Sequence, residues 1–240
     1  MSLDQCADQY VLALAPDANL ALSPRADDPD SWVRREARGH RRIRPTLEAA
    51  VSFRPEIVVR YWGGDPALLR GLARRGVRVV EISDATDIQG VRANVRQVAQ
   101  ALGQPGRGQA LVDHMDRRLA QAAPADGRSQ DSALYMTAGG FTAGTGTLID
   151  AMITAAGVLN LAGHAGFGPV SVERIVLDPP TRFVFGFLDQ VRSDWRGPGR
   201  HPVIRRIAHS RPSVRLPAAV LTCPAWFVAD GVALIGEGIR

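Results

Sequence analysis

Short apolar runs alternate with amphipathic segments along this chain, and the alternation predicts an α/β fold. The clearest case spans residues 54–82, where an apolar run at 57–59 is followed by the turn YWGG at 61–64. A helical segment follows, with leucines at 68, 69 and 72, and then a second apolar run at 77–82. This is the pattern of a βαβ unit, which builds a parallel sheet. Ligands of such sheets bind beyond the carboxyl ends of the strands, where the turn at 61–64 lies.

The same periodicity predicts further elements on both sides of this unit. Helices are expected at 4–15, around residue 32, at 46–53, from residue 84 or 87 to 103, at 147–156, from residue 171 and from residue 201. Strands are expected at 19–22, 133–136 and 182–187 and near residue 214, with a polar linker at 124–130.

One longer helix is predicted to begin with Pro105 and to run to about residue 123, because proline suits the first helical position. Leu111, Met115 and Leu119 form its apolar stripe. At about 1.5 Å per residue, it spans roughly 28 Å, the width of a small domain. We therefore predict an N-terminal lobe at 1–103, an inter-lobe helix at 104–124 and a C-terminal lobe at 125–240.

The composition is that of a folded chain, and it limits the classes of partner that we expect. The 240 residues are 45% apolar and 22% charged, which is unlike a disordered protein. All 29 basic residues are arginine, and the net charge of +5 suits an anionic ligand or simply favours solubility. An arginine-rich run at 34–44 contains no interleaved aromatic residues, so we expect a solvated face and no nucleic acid partner.

Three turns at predicted strand ends contain aromatic residues, which indicates a stacking surface for a ligand. The first is 61–64; the second is the glycine-rich segment 137–146 with Phe141, and the third is the turn at 222–226. We also count His164 among the candidate ligand-binding residues, because its glycine-rich surroundings leave it accessible. The candidate ligand-binding residues are Tyr61, Trp62, Gly63, Gly64, Phe141, Trp226, Cys6 and His164.

No catalytic or metal-binding pattern accompanies these turns. The sequence contains neither a Gly-x-Ser-x-Gly nucleophile elbow nor a Gly-Lys-Ser/Thr phosphate loop, and no His-Glu-x-x-His. Cys6 and Cys223 fit no zinc pattern, and we predict free thiols; a disulfide that would link the two halves is the alternative. These absences favour a binding protein over an enzyme.

Several segments together resemble a known family. They are SLDQCAD at 2–8, RPEIVV at 54–59, YWGG at 61–64, FTAGTGTLID at 141–150 and GVLN at 157–160. In order and spacing, they are similar to ABC-transporter substrate-binding proteins of the vitamin B12 and iron–siderophore type, over essentially the whole chain. The resemblance implies two Rossmann-like lobes joined by a single long α-helix, with a ligand cleft between the lobes. It also implies export to the periplasm and docking on an inner-membrane ABC permease.

The resemblance further implies a flat metal chelate as ligand. The B12-binding member has aromatic residues in the turn matching Tyr61 and Trp62, near Phe141 and in the turn matching Trp226. We therefore expect a cobalamin-like corrinoid first, a ferric siderophore next, and heme as an alternative ligand, with no cofactor and a monomeric protein. The family's permease-docking carboxylate falls at about Ala67 here, with Asp65 nearby. The remaining alternatives are an α/β enzyme acting on a nucleotide or sugar and a cytoplasmic metallochaperone.

Overall fold

The computed structural model describes residues 1–124, 131–190 and 196–239. Its helices are α1 Gln5–Leu14, α2 Leu47–Phe53, α3 Pro66–Ala73, α4 Ile88–Ala101, α5 Pro105–Ala122, α6 Leu148–Ala155, α7 Val172–Leu177, α8 Pro202–His209, α9 Ala218–Leu221 and α10 Val228–Ile239. Its strands are β1 Ala21–Leu22, β2 Arg41–Arg42, β3 Ile57–Arg60, β4 Arg78–Glu81, β5 Ser132–Thr137, β6 Phe141–Ala143, β7 Leu159–Asn160, β8 Phe167–Pro169, β9 Phe183–Gly186 and β10 Ser213–Leu216. This confirms the predicted α/β class.

The chain divides into two compact units. Unit 1 comprises Met1–Asp84 and Val91–Asp113, and unit 2 comprises Ala85–Gly90 and His114–Arg240. The long helix α5 contributes its first half to unit 1 and its second half to unit 2.

Unit 1 contains parallel strands. β1 pairs with β2, and β3 pairs with β4. The amide of Ser2 donates to the carbonyl oxygen of Ala21 in β1, and the amide of Leu3 donates to that of Val59 in β3. Residues 1–3 therefore join the two strand pairs. Side chains from this sheet and from α2 and α3 form an apolar core.

Helix α1 carries a buried carboxylate, that of Asp8, in unit 1. Asp8 is fully buried and accepts hydrogen bonds from the amide of Ser23 at 2.8 Å, from its hydroxyl at 2.5 Å and from the hydroxyl of Ser2. Burial raises the pKa of Asp8 from 3.8 to about 6, although the two serines act in the opposite direction. Asp8 therefore binds a proton more tightly in the folded state than in the unfolded chain.

Unit 2 contains a parallel sheet and a separate ribbon. The sheet has the strand order β10-β9-β5-β7, and every neighbouring pair is parallel. β6 and β8 pair in antiparallel register as a two-stranded ribbon. The sheet packs on α7 and α8 through an apolar core that contains Met136, Ile175 and Ile204.

The structure departs from the predicted elements in several places, among them the short strands β2 and β7, which were not predicted. The segment around Trp32 forms turns rather than the predicted helix, because its polar residues leave no apolar stripe to bury. The ribbon β6–β8 lies in glycine-rich sequence that lacks the alternation expected of strands. Helices α9 and α10 were also not predicted. Of the predicted linker at 124–130, residues 125–130 lie outside the described residues.

Among the described residues, no helix combines the length and the apolar character needed to cross a membrane.

Candidate functional site

The turn after β3 brings a phenol beside a carboxylate. β3 and β4 are parallel neighbours, so the residues that follow them emerge at the same edge. Tyr61 follows β3 directly, and Asp84 follows β4 after a short extension. The Tyr61 hydroxyl donates a hydrogen bond to Oδ1 of Asp84. Burial raises the pKa of Tyr61, and the bond to Asp84 raises it further, so the free protein holds a neutral phenol at this edge.

Asp4 fixes the conformation of this turn from within unit 1. Its Oδ1 atom accepts from the Ala7 amide at 2.9 Å and so caps α1. Its Oδ2 atom accepts from the amides of Tyr61 at 2.7 Å and Gly63 at 2.9 Å. One buried carboxylate therefore ties the start of α1 to the aromatic turn.

Gly63 and Gly64 allow the turn to approach Leu3 closely. A Cβ atom at Gly63 would lie 2.5 Å from the carbonyl oxygen of Leu3, and Gly64 has a φ of 86°. The carbonyl oxygen of Gly63 accepts from Nε of Arg60 at 2.7 Å, while its amide is bonded to Asp4. Both backbone groups of Gly63 are thus used inside the protein. Gly63, one of the candidate ligand-binding residues, therefore uses its backbone groups to hold the turn.

Trp62 is presented outwards by this fixed turn. Its side chain is 54% exposed, although the residues on either side are held by hydrogen bonds. An exposed indole on a rigid turn is a ready stacking surface, since little conformational freedom is lost when a flat ligand covers it.

In unit 2, the ribbon presents two exposed rings. Phe141 lies opposite Pro169, and Phe167 lies opposite Ala143, so strand alternation puts all four on one face. Phe141 is 51% exposed and Phe167 is 69% exposed. Phe167 was missed from the sequence because its strand was not predicted.

His164 lies on the other face of the ribbon. A Cβ at Gly168 would be 2.9 Å from both Cε1 and Nε2 of the His164 ring, so the imidazole packs directly over Gly168. Gly168 pairs with Thr142, and this pair lies between the two pairs that contain the phenylalanines. Because successive residues of a strand face opposite sides, Thr142 is on the face opposite to Phe141 and Phe167. His164 is exposed as predicted, but it does not share a face with Phe141.

The structure does not give Trp226 and Cys6 the accessible positions predicted for them. Trp226 is only 7% exposed and packs edge-to-face on Phe227, so its ring belongs to the core. Cys6 is fully buried. The prediction of free thiols is also wrong, because Cys6 and Cys223 are both disulfide-bonded. Pairing of cysteines depends on their positions in the fold, which their sequence spacing does not reveal.

The described residues contain no group of three or more His, Cys, Asp or Glu side chains that could hold a metal ion. Asp65, the carboxylate nearest the expected permease-docking position, accepts from the Leu68 amide at 2.8 Å and caps α3. The turn after β3 and the ribbon each present exposed aromatic side chains. The turn also holds the hydrogen-bonded pair of Tyr61 and Asp84. Exposed aromatic rings offer a flat apolar surface to a ligand.

Comparison with known proteins agrees with this description. The sequence model of the periplasmic binding protein family matches residues 11–186. The chain belongs to the periplasmic binding protein family. No curated protein sequence matches the chain.

Solved structures share the fold over almost the whole chain. The apo form of the periplasmic heme-binding protein RhuT from Roseiflexus sp. RS-1 is 21% identical, with a TM-score of 0.73, and 100% of this chain and 98% of that chain are covered. The periplasmic heme-binding protein BhuT in complex with two hemes is 22% identical, with a TM-score of 0.72 and coverage of 99% and 96%. A possible iron-binding periplasmic solute-binding protein from Staphylococcus epidermidis is 14% identical, with a TM-score of 0.73 and coverage of 100% and 97%. At these identities the likeness establishes the fold alone.

Proposed function

We propose that the protein binds an iron porphyrin of the heme type and delivers it to an ABC permease in the membrane. The observation that carries this proposal is the turn after β3, where exposed Trp62 stands next to Tyr61 and its partner Asp84. The indole offers a face for a flat macrocycle, and the phenol oxygen is a known type of axial ligand for heme iron. RhuT and BhuT, which share the fold, are heme-binding proteins.

Asp84 can accept the proton that the Tyr61 hydroxyl must lose to become a phenolate. The raised pKa of Tyr61 keeps it neutral in the free protein, because its surroundings disfavour the phenolate. A ferric ion is a strong local charge that reverses this preference when it approaches the oxygen. The Asp84 carboxylate already accepts the hydroxyl hydrogen and can take the proton as the oxygen binds iron.

Titration of the purified protein with hemin, cyanocobalamin and a ferric hydroxamate siderophore tests this assignment. We expect hemin to bind with a shifted Soret band and the other two to bind more weakly or not at all. Tyr61→Phe should change the Soret spectrum and weaken hemin binding. The matched control is Tyr135→Phe, which removes a hydroxyl from a buried tyrosine of unit 2. Preferential binding of cyanocobalamin would return the assignment to the corrinoid, and an identical spectrum in Tyr61→Phe would refute the axial role.

We also infer that the protein acts in the periplasm. The family supports this location, and so do the disulfide-bonded cysteines, because such bonds persist in oxidising compartments. Fractionation of cells that express the complete gene should release the protein with the periplasmic contents. Recovery with the cytoplasmic fraction would contradict the inference and favour an intracellular chelate carrier.

A further inference from the structure

A cavity of about 180 Å³ lies in unit 2, beside the ribbon of β6 and β8. Its apolar walls include Leu134 from β5 and Ile175 from α7. Thr142 and His164, which share the face of the ribbon opposite to Phe141, contribute polar atoms. Since one water takes about 30 Å³ in the liquid, the cavity has room for a molecule of a few non-hydrogen atoms.

Thr142 supplies the first sign that the cavity receives a ligand. The residue is 3% exposed, and its hydroxyl has no hydrogen-bond partner among the described residues. Buried hydroxyl groups in proteins are nearly always paired, because an unpaired one loses its bonds to water without replacement. A ligand atom in the cavity would restore the missing bond.

Arg174 supplies the second sign. This exposed residue of α7 lines the same cavity, and no carboxylate of the described part of the chain forms an ion pair with its guanidinium. Among the lining residues that the structure describes, Asp178 carries the one carboxylate, and it is not paired with Arg174 either. The planar guanidinium donates two parallel hydrogen bonds and therefore fits a carboxylate better than it fits a single acceptor atom.

We propose that this cavity is a binding subsite for a small carboxylate with a short aliphatic part. Arg174 would bind the carboxylate, the Thr142 hydroxyl would donate to one of its oxygens, and Leu134 and Ile175 would contact the aliphatic carbons. Nε2 of His164 offers a further polar contact, since the hydrogen bond of that ring to Ala165 uses Nδ1. The subsite is independent of the heme assignment, because its residues are not those of the turn after β3.

Propionate is the probe that tests the subsite, because its five non-hydrogen atoms suit the cavity. Calorimetric titration of the intact protein should show millimolar binding of sodium propionate and much weaker binding of propionamide, which has the same shape without the charge. Inorganic phosphate should not compete. Equal binding of propionate and propionamide, or no binding of propionate, would overturn the proposal, as would tighter binding of phosphate.

Two variants separate a ligand contact from a structural role. Arg174→Gln should weaken propionate binding about tenfold or more, while Arg206→Gln, the same charge change at an exposed position of α8 in unit 2, should leave it unchanged. Thr142→Val should weaken binding several-fold while leaving the free protein at least as stable, because the change removes an unpaired hydroxyl. Unaltered affinity in both Arg174→Gln and Thr142→Val would refute the assignment.

The carboxylate could come from a free small acid or from a larger chelate that carries one. Hemin added to the propionate complex distinguishes the two sources. Retention of propionate at saturating hemin identifies a free acid, and release identifies a carboxylate of the chelate. Propionate binding in a protein that fails to bind hemin would support the subsite and refute only the heme assignment.

Discussion

Replacement of Trp62 by alanine is the most direct test of the aromatic turn. A tryptophan side chain has an accessible area of about 250 Å² at most. Because Trp62 is 54% exposed, a ligand can cover at most about 135 Å² of it. At about 25 cal/mol per Å², full cover contributes about 3 kcal/mol, and half cover contributes about 1.5 kcal/mol. The dissociation constant of the ligand should therefore rise about 10- to 150-fold.

The assay is a Soret titration of hemin, repeated with cyanocobalamin if hemin does not bind. Trp32→Ala is the matched control, because Trp32 is a partly exposed tryptophan of the same unit outside the turn. The dissociation constant of the ligand for Trp32→Ala should stay within about twofold of its value for the parent protein. Chemical denaturation should show little change for Trp62→Ala, since the lost side chain is mostly in solvent.

Two results would refute the reasoning. An unchanged dissociation constant in Trp62→Ala would mean that the exposed indole does not contact the ligand. Equal losses in Trp62→Ala and Trp32→Ala would mean that the effect is general and not a property of the turn.

Three further predictions concern the scaffold. Gly63→Ala should lower stability by about 2 kcal/mol or more in urea denaturation, because its Cβ would overlap the carbonyl of Leu3; unchanged stability would show that the turn can shift. Between pH 4 and 6 the folded state binds more protons at Asp8 than the unfolded chain does, so stability should fall as pH rises, by up to about 3 kcal/mol. Asp8→Asn should flatten that slope, and equal slopes in the two proteins would contradict the raised pKa. Alkylation of the denatured protein should label no cysteine before reduction and both Cys6 and Cys223 afterwards, whereas labelling without reductant would disprove the disulfide.

Helix starts were the part of the fold most readable from the sequence. Asp4, Thr46, Asp65, Thr147 and Ser171 each accept a hydrogen bond from an amide three residues ahead at the start of a helix. Such a cap depends only on residues within one turn, so a short stretch of sequence carries the whole signal.

The sequence also located the aromatic turn but not what holds it. Tyr61 and Trp62 were identified because they follow an apolar run and precede glycines. Their support comes from Asp4 and Asp84, which are distant in the sequence and arrive by strand pairing. For the same reason, the sequence did not reveal that Gly63 packs against Leu3.

By itself, then, the sequence determined the α/β alternation, the long helix α5 and the aromatic turn, because each depends on residues close together along the chain. Tertiary structure alone decided that Trp226 is buried, that Cys6 and Cys223 are bonded, and that Phe167 joins Phe141 on one face of a ribbon. These outcomes depend on which distant segments pack together. Burial and pairing are properties of that packing, and no local pattern encodes them.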